Sequence, residues 1–188
     1  MGQIDGVRVE ALRPHADERG SFTEVYASHW GTEVDPTQWS VVRSEPGALR
    51  GMHLHRRHDE YLTVVDGILW VGLHDLRPGS PTEGAAMLIR LDGAIPQYLA
   101  FPRGLVHGWI AETPVLHLQA VSESYVSYGA DDNGGCRWDD PELGVDWPIR
   151  PTSISERSAA FGSLSDLRAA VAAPAGRPAT AVLDGAAP

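Results

Sequence analysis

An all-β barrel is the fold class this sequence predicts, and three observations predict it. Short runs rich in β-branched, aromatic and aliphatic residues recur through the middle of the chain, bounded by Gly, Pro, Asp and Ser. Strands never alternate with long helices, which argues against a doubly wound parallel sheet. At 188 residues and 43% hydrophobic, the chain can bury a real core, and one domain is the default.

The elements follow from pattern and punctuation. Strands are predicted at Trp39–Arg43, Leu49–His55, Tyr61–Val65, Ile68–Leu73, Met87–Leu91, Gln97–Phe101, Gly108–Ala111 and Val115–Val121. The breaks between them read EPG, VDG, RPGSP, LDGAIP and FPRG, and SYGADDNGG follows the last; Gly and Pro there supply turn geometry that strands disfavour. Helix is scarce. Ser163 and Asp166 are spaced to cap a short helix, Leu164–Ala173. The stretch after that helix, PAGRPATAVLDGAAP, reads as lacking a fixed fold of its own; the domain is taken as 1–168, with 169–188 as an Ala- and Pro-rich C-terminal tail.

Composition narrows the function. The net charge of −10 disfavours nucleic acid and anionic membrane as partners. All 15 basic residues are arginine, which removes Schiff-base chemistry and favours bidentate anion contacts. Cys136 stands alone, so no intramolecular disulfide and no C-x-x-C site forms. The start MGQIDGVRVE carries no apolar signal segment, and no run approaches a membrane span. A cytoplasmic protein acting on a small molecule is the expectation.

The chemistry concentrates in GALRGMHLHRRHDEYLTVVDG and FPRGLVHGW. Side chains two apart on a strand share a face, so His53 and His55 converge. A turn over Arg56–Asp59 returns the chain at Glu60, and His107 follows a Pro-x-Gly turn. Three imidazoles and a carboxylate suit Fe(II), Mn(II), Ni(II) or Zn(II). His58 reads as a solvated turn residue; His15, His29 and His74 show no partner in sequence.

The spacing Gly47, His53, His55, Glu60, Gly67, then Pro102, Gly104, His107, resembles the two motifs of the cupin superfamily, with Ala111 where an asparagine is usual. That resemblance implies a jelly-roll (double-stranded β-helix) barrel with a short C-terminal helix. It also implies one divalent metal held by His53, His55, Glu60 and His107, and no organic cofactor.

A more specific likeness spans about Asp17 to Ser158. DERGSFTEVY, ALRGMHLH, LHDLRPGSPTEG, FPRGLVHGW and WDDPELGVDWP resemble dTDP-4-dehydrorhamnose 3,5-epimerases, a cupin family, usually dimeric, that works without metal. The resemblance implies His53 as the base, His107 as the second active-site histidine, and Arg50, Arg19 and Gln38 as substrate contacts, with Glu24 a looser match. The departures are that Glu60 stands at the family's lysine, Gln119 at its catalytic tyrosine, His55 at a glutamine, Ser40 at an asparagine and Ser158 at the orienting aspartate. Three helpers are lost, while the two changes needed for a metal site are gained.

The preferred reading is therefore a metal-dependent isomerase, epimerase or lyase-type enzyme on this scaffold. It would act next to a carbonyl of a small oxygenated substrate, such as a dTDP-keto-sugar, in specialised biosynthesis. Its acid–base groups would come from His117, Gln119 and Tyr125, with His53 the base if no metal holds it. The alternatives are a metal-free dTDP-4-keto-6-deoxysugar 3,5- or 3-epimerase with His53 as base, an Fe(II)-dependent dioxygenase, and a non-enzymatic small-molecule binder. A homodimer is expected from the likeness.

Overall fold

The computed structural model describes residues 3–172. Its strands, in chain order, are β1 (Arg8–Ala11), β2 (Pro14–Asp17), β3 (Gly20–Thr23), β4 (Gln38–Ser44), β5 (Ala48–Leu54), β6 (Glu60–Asp66), β7 (Ile68–Asp75), β8 (Ala86–Asp92), β9 (Gln97–Phe101), β10 (Leu105–Ala111), β11 (Val115–Val121), β12 (Gly134–Gly135) and β13 (Ser153–Ile154). The helices are α1 (Tyr125–Tyr128), α2 (Glu156–Ala159) and α3 (Leu164–Ala172). Ala173 and the tail beyond it lie outside the described residues.

Two sheets face each other as a jelly roll. One runs β1-β9-β6-β11-β4; the other runs β12-β5-β10-β7-β8, with β13 added parallel to β5. The other ladders are antiparallel, and β2 and β3 form a separate hairpin. Between the sheets lies the main apolar core, drawn from both: Leu62, Val64 and Leu99 from one, Val71, Leu91 and Trp109 from the other. Strands that alternate inward and outward bury one row in this space. A second cluster covers the outer face of the six-stranded sheet, where Met52, Leu54 and Val106 meet Leu143, Leu164 and Leu167. This is the site where α3 docks, and it explains why an otherwise short helix holds.

The eight strands expected from the sequence are all present, five of them two or three residues longer. Five more were not expected: the two-residue β12 and β13, and β1 to β3. The residues of β1 to β3 are nearly all exposed, so these strands lack the apolar alternation by which buried strands announce themselves.

One close approach shapes the barrel. Gly51 has φ +127, and a Cβ there would lie 2.6 Å from Gly108 Cα. A Cβ on Gly108 would in turn lie 2.7 Å from Met52 Sδ. Only glycine fits where these two backbones cross, and the crossing sits between His53 on β5 and His107 on β10.

Candidate active site

The histidines converge as the strand period requires. His53 and His55 face the barrel interior while Met52 and Leu54 pack outside. His107 is the register partner of His53, with ring centroids 6.2 Å apart, and His55 lies 5.1 Å from His107. Glu60 opens β6 and is almost wholly buried. Its Oε1 lies 2.9 Å from His107 Nε2 and 3.4 Å from His55 Nε2, and its Oε2 accepts a hydrogen bond from Gln119 Nε2 at 2.8 Å.

His58 belongs to this group. It is buried, not solvated, because Asp132 reaches in from the segment after α1. One Asp132 oxygen accepts from Arg56 N at 2.7 Å; the other accepts from Arg57 N at 3.0 Å and lies 3.1 Å from His58 Nδ1. The Asp132 carbonyl accepts from His55 Nδ1 at 2.5 Å. Tyr128 stacks on His58, centroids 4.3 Å apart. Nothing near His58 in sequence points to Asp132; only the fold joins them.

Electrostatics divide the cluster into one ion pair and several neutral rings. Burial pushes Glu60 up, but the His107 charge and hydrogen bond, then His55, reverse this and hold it well below the usual carboxylate range. His107 moves the other way: burial lowers it, and Glu60 outweighs burial and raises it. Burial, followed by His107 and His55, lowers His53 to about 3. Burial lowers His55 to about 4, against the pull of Glu60. At neutral pH His53 is held unprotonated.

His53 opens onto a cavity of about 860 Å³. Arg50, Trp109, Gln119 and Ser40 line it, together with Ser153, Ser155 and Ser158 from the late segment. The structure thus gathers His53, Arg50 and Gln119 of the expected site. His117 is fully buried beside Trp109, centroids 5.4 Å apart. Arg19 and Gln38 do not line this cavity. The Arg19 guanidinium is held by Asp17 within the β2–β3 hairpin, and Gln38 Oε1 accepts from Tyr125 N, tying α1 to β4. Tyr125 itself is 50% exposed. Trp109 and the serines of 153–158 were missed as pocket residues. Ser158 had been noted only where an aspartate is usual.

The fold and site define a jelly-roll barrel of the cupin superfamily. A family profile described as dTDP-4-dehydrorhamnose 3,5-epimerase matches residues 2–166, and the chain belongs to that family. It is similar to the spore coat polysaccharide biosynthesis protein SpsL of Bacillus subtilis, 32% identical over 77% of this chain and 96% of that one. It is also similar to the dTDP-4-dehydrorhamnose 3,5-epimerase of Mycobacterium tuberculosis, 32% identical over 82% and 81%. The crystal structure of NovW, a 4-keto-6-deoxy sugar epimerase from the novobiocin biosynthetic gene cluster of Streptomyces spheroides, matches with a TM-score of 0.81 at 28% identity, covering 91% of this chain and 89% of that one.

Membership corrects the expectation of a metal-dependent enzyme holding one divalent ion through His53, His55, Glu60 and His107. This family's epimerases work without metal, and the dioxygenase alternative falls with the ion. A ring nitrogen from each of His53, His55 and His107 does lie within 4.8 Å of the others, as do single ligand atoms of His55, His58 and Glu60. That clustering has its own account. Glu60 spends one oxygen on His107 and the other on Gln119, so it is paired by protein groups, as a buried carboxylate must be. No helix among the described residues is long and apolar enough to cross a membrane.

Proposed function

We propose that the protein is a metal-free epimerase of a dTDP-linked 4-keto-6-deoxysugar, with His53 as the base. The observation that carries this is a neutral, cavity-facing His53 beside Arg50 in a chain of the epimerase family. A proton next to a ketone leaves only to a positioned base, and the free imidazole of His53 is one. Arg50 stands at the cavity rim, where its donors suit a diphosphate. NovW, a 4-keto-6-deoxy sugar epimerase, supports the sugar class.

Gln119 cannot donate a proton as an acid. Tied to Glu60, it serves to hold the substrate and orient the wall of the cavity. Tyr125, on the helix that Gln38 pins beside β4, is 50% exposed and, like Arg19 and Gln38, does not line this cavity, so it is not assigned as the acid. The working form is a homodimer: the β2–β3 hairpin is exposed, with Phe22 at 68%, and Arg19 reaches a substrate from a second copy, since it does not line the cavity of its own chain.

The test is solvent exchange. With dTDP-4-keto-6-deoxyglucose in D2O, deuterium should enter next to the carbonyl at the same rate with and without EDTA, and His53→Asn should abolish it. Failure of the wild-type protein to exchange that position would end the reading.

A further inference from the structure

Loss of a proton beside a ketone leaves negative charge on the carbonyl oxygen, and that charge needs donors aimed at it. The groups around His53 are mostly committed elsewhere. Glu60 is a carboxylate and repels an enolate. His107 Nε2 faces Glu60 at 2.9 Å. The Arg50 guanidinium turns to the strand edge, toward Arg43 O at 3.2 Å and Ser44 Oγ at 3.4 Å.

Two side chains are uncommitted. Trp109 is 4% exposed and its indole Nε1 has no partner, and His117 is 0% exposed with neither ring nitrogen partnered. Trp109 lines the same cavity as His53, and His117 packs edge-on against it at 5.4 Å. Buried polar groups are almost always paired, and leaving them unpaired costs stability. An orphan indole in the wall of a reaction cavity, with an orphan imidazole packed directly behind it, is what a site prepared for a ligand oxygen looks like.

We propose that the Trp109 indole N–H, backed by His117, is the donor pair that receives the substrate's carbonyl oxygen and stabilises the enolate. The inference rests on the epimerase reading above. In the step, the C–H bond beside the carbonyl breaks and its proton goes to the His53 imidazole. The C–H electron pair becomes the new C=C bond, and the carbonyl π pair moves onto oxygen. Trp109 N–H and a His117 N–H then hold that oxygen, and the sequence reverses when carbon is reprotonated. Burial lowers His117 to about 4, so it acts as a neutral donor and does not surrender its proton to the enolate. A neutral histidine can serve as such an electrophile.

The experiment compares wild type with Trp109→Phe, His117→Leu and His117→Gln. Deuterium exchange into dTDP-4-keto-6-deoxyglucose measures the step, and dTDP-glucose, which has no carbonyl to enolise, measures ground-state binding. Exchange should fall by about 100-fold in Trp109→Phe and His117→Leu, while the Kd for dTDP-glucose stays within about threefold. His117→Gln, which keeps an N–H, should recover most of the rate lost in His117→Leu. Each variant trims a buried side chain, so a modest fall in melting temperature is expected. Exchange within about threefold of wild type in Trp109→Phe would overturn the inference. So would a Kd change matching the rate change, or a large fall in melting temperature in both Trp109→Phe and His117→Leu. Wild type that binds dTDP-glucose yet exchanges nothing would instead refute the epimerase reading, and this inference with it.

Discussion

Gln119 Nε2 donates to Glu60 Oε2 over 2.8 Å, while the other Glu60 oxygen faces His107 Nε2 at 2.9 Å. Glu60 thereby ties β6 and β11 of one sheet to β10 of the other. Glu60→Ala would strip His107 of the carboxylate that favours its proton, and would leave the buried His107 ring and the Gln119 amide without their partner. Removing one partner of such a pair costs about 3–5 kcal/mol. Urea denaturation should show a loss of that order, with Glu60→Gln losing less because it keeps a hydrogen-bonding acceptor. A loss under about 1 kcal/mol for the alanine variant would show the pair to be energetically idle.

Acid should destabilise this protein early. His53, His55 and His117 sit at about 3, 4 and 4 in the folded chain, against about 6.5 when unfolded. Below about 6.5 the unfolded chain therefore binds protons that the native state refuses, and stability falls as pH drops from there toward 4. Glu60, held low, works in the same direction further down: its contribution is present above about 4.3 and is lost as pH falls through its folded value. His107 opposes them. Raised by Glu60, its contribution is full below about 6.5 and fades as pH rises through its folded value. Between pH 6.5 and 4, these three imidazoles should add up to about three protons of uptake per chain to the pH slope of the unfolding free energy, and His58 and His74, also lowered by burial, add to it. An uptake of one or fewer would mean that these imidazoles are solvated in the native state.

Asp132 fastens the turn that carries His58. It accepts the Arg56 and Arg57 N–H groups at 2.7 and 3.0 Å, and its backbone carbonyl fixes the His55 tautomer. Asp132→Ala takes the acceptor from two partly buried donors and should cost about 1–2 kcal/mol. Asp132→Asn keeps acceptor capacity and should cost less. Equal denaturation midpoints for the two variants would remove the carboxylate from this account.

The hairpin assignment makes a prediction about mixtures. If Arg19 serves the cavity of a second copy, Arg19→Ala and His53→Asn homodimers, each inactive alone, should regain exchange activity when unfolded together and refolded. One site of the mixed dimer would then carry both an intact His53 and an intact Arg19. Persistent inactivity of the mixture, with mixed dimers verified by mass spectrometry, would place Arg19 in its own chain's site or in none.

The barrel was legible because its strands are buried. β9 and β11 coincide with the expected runs, and β5 and β6 differ by a residue or so at their ends. The convergence of His53 with His55 followed from the two-residue strand period alone. The environment of each side chain did not. His53, His55 and Glu60 carry the spacing of a metal set, yet Gln119 and Asp132, distant in sequence, complete their hydrogen bonds. His58 looked solvated because Asp132 lies on a segment with no periodic signature. His117 was expected among the acid–base groups and Trp109 was not singled out; that their polar atoms lack partners is a fact about three dimensions.

The pairing of β13 with β5 has a consequence for the order in which the protein becomes competent. Ser153 and Ile154 run parallel to Ala48 and Leu49, and Ser153, Ser155 and Ser158 form one wall of the cavity. Parallel pairing across so much intervening chain closes late and slowly. On the ribosome, the histidines emerge and can assemble while that wall is still being translated. A nascent or truncated chain ending before Ser153 would hold His53 but lack this wall, so the cavity becomes complete only after residues 153–158 are made.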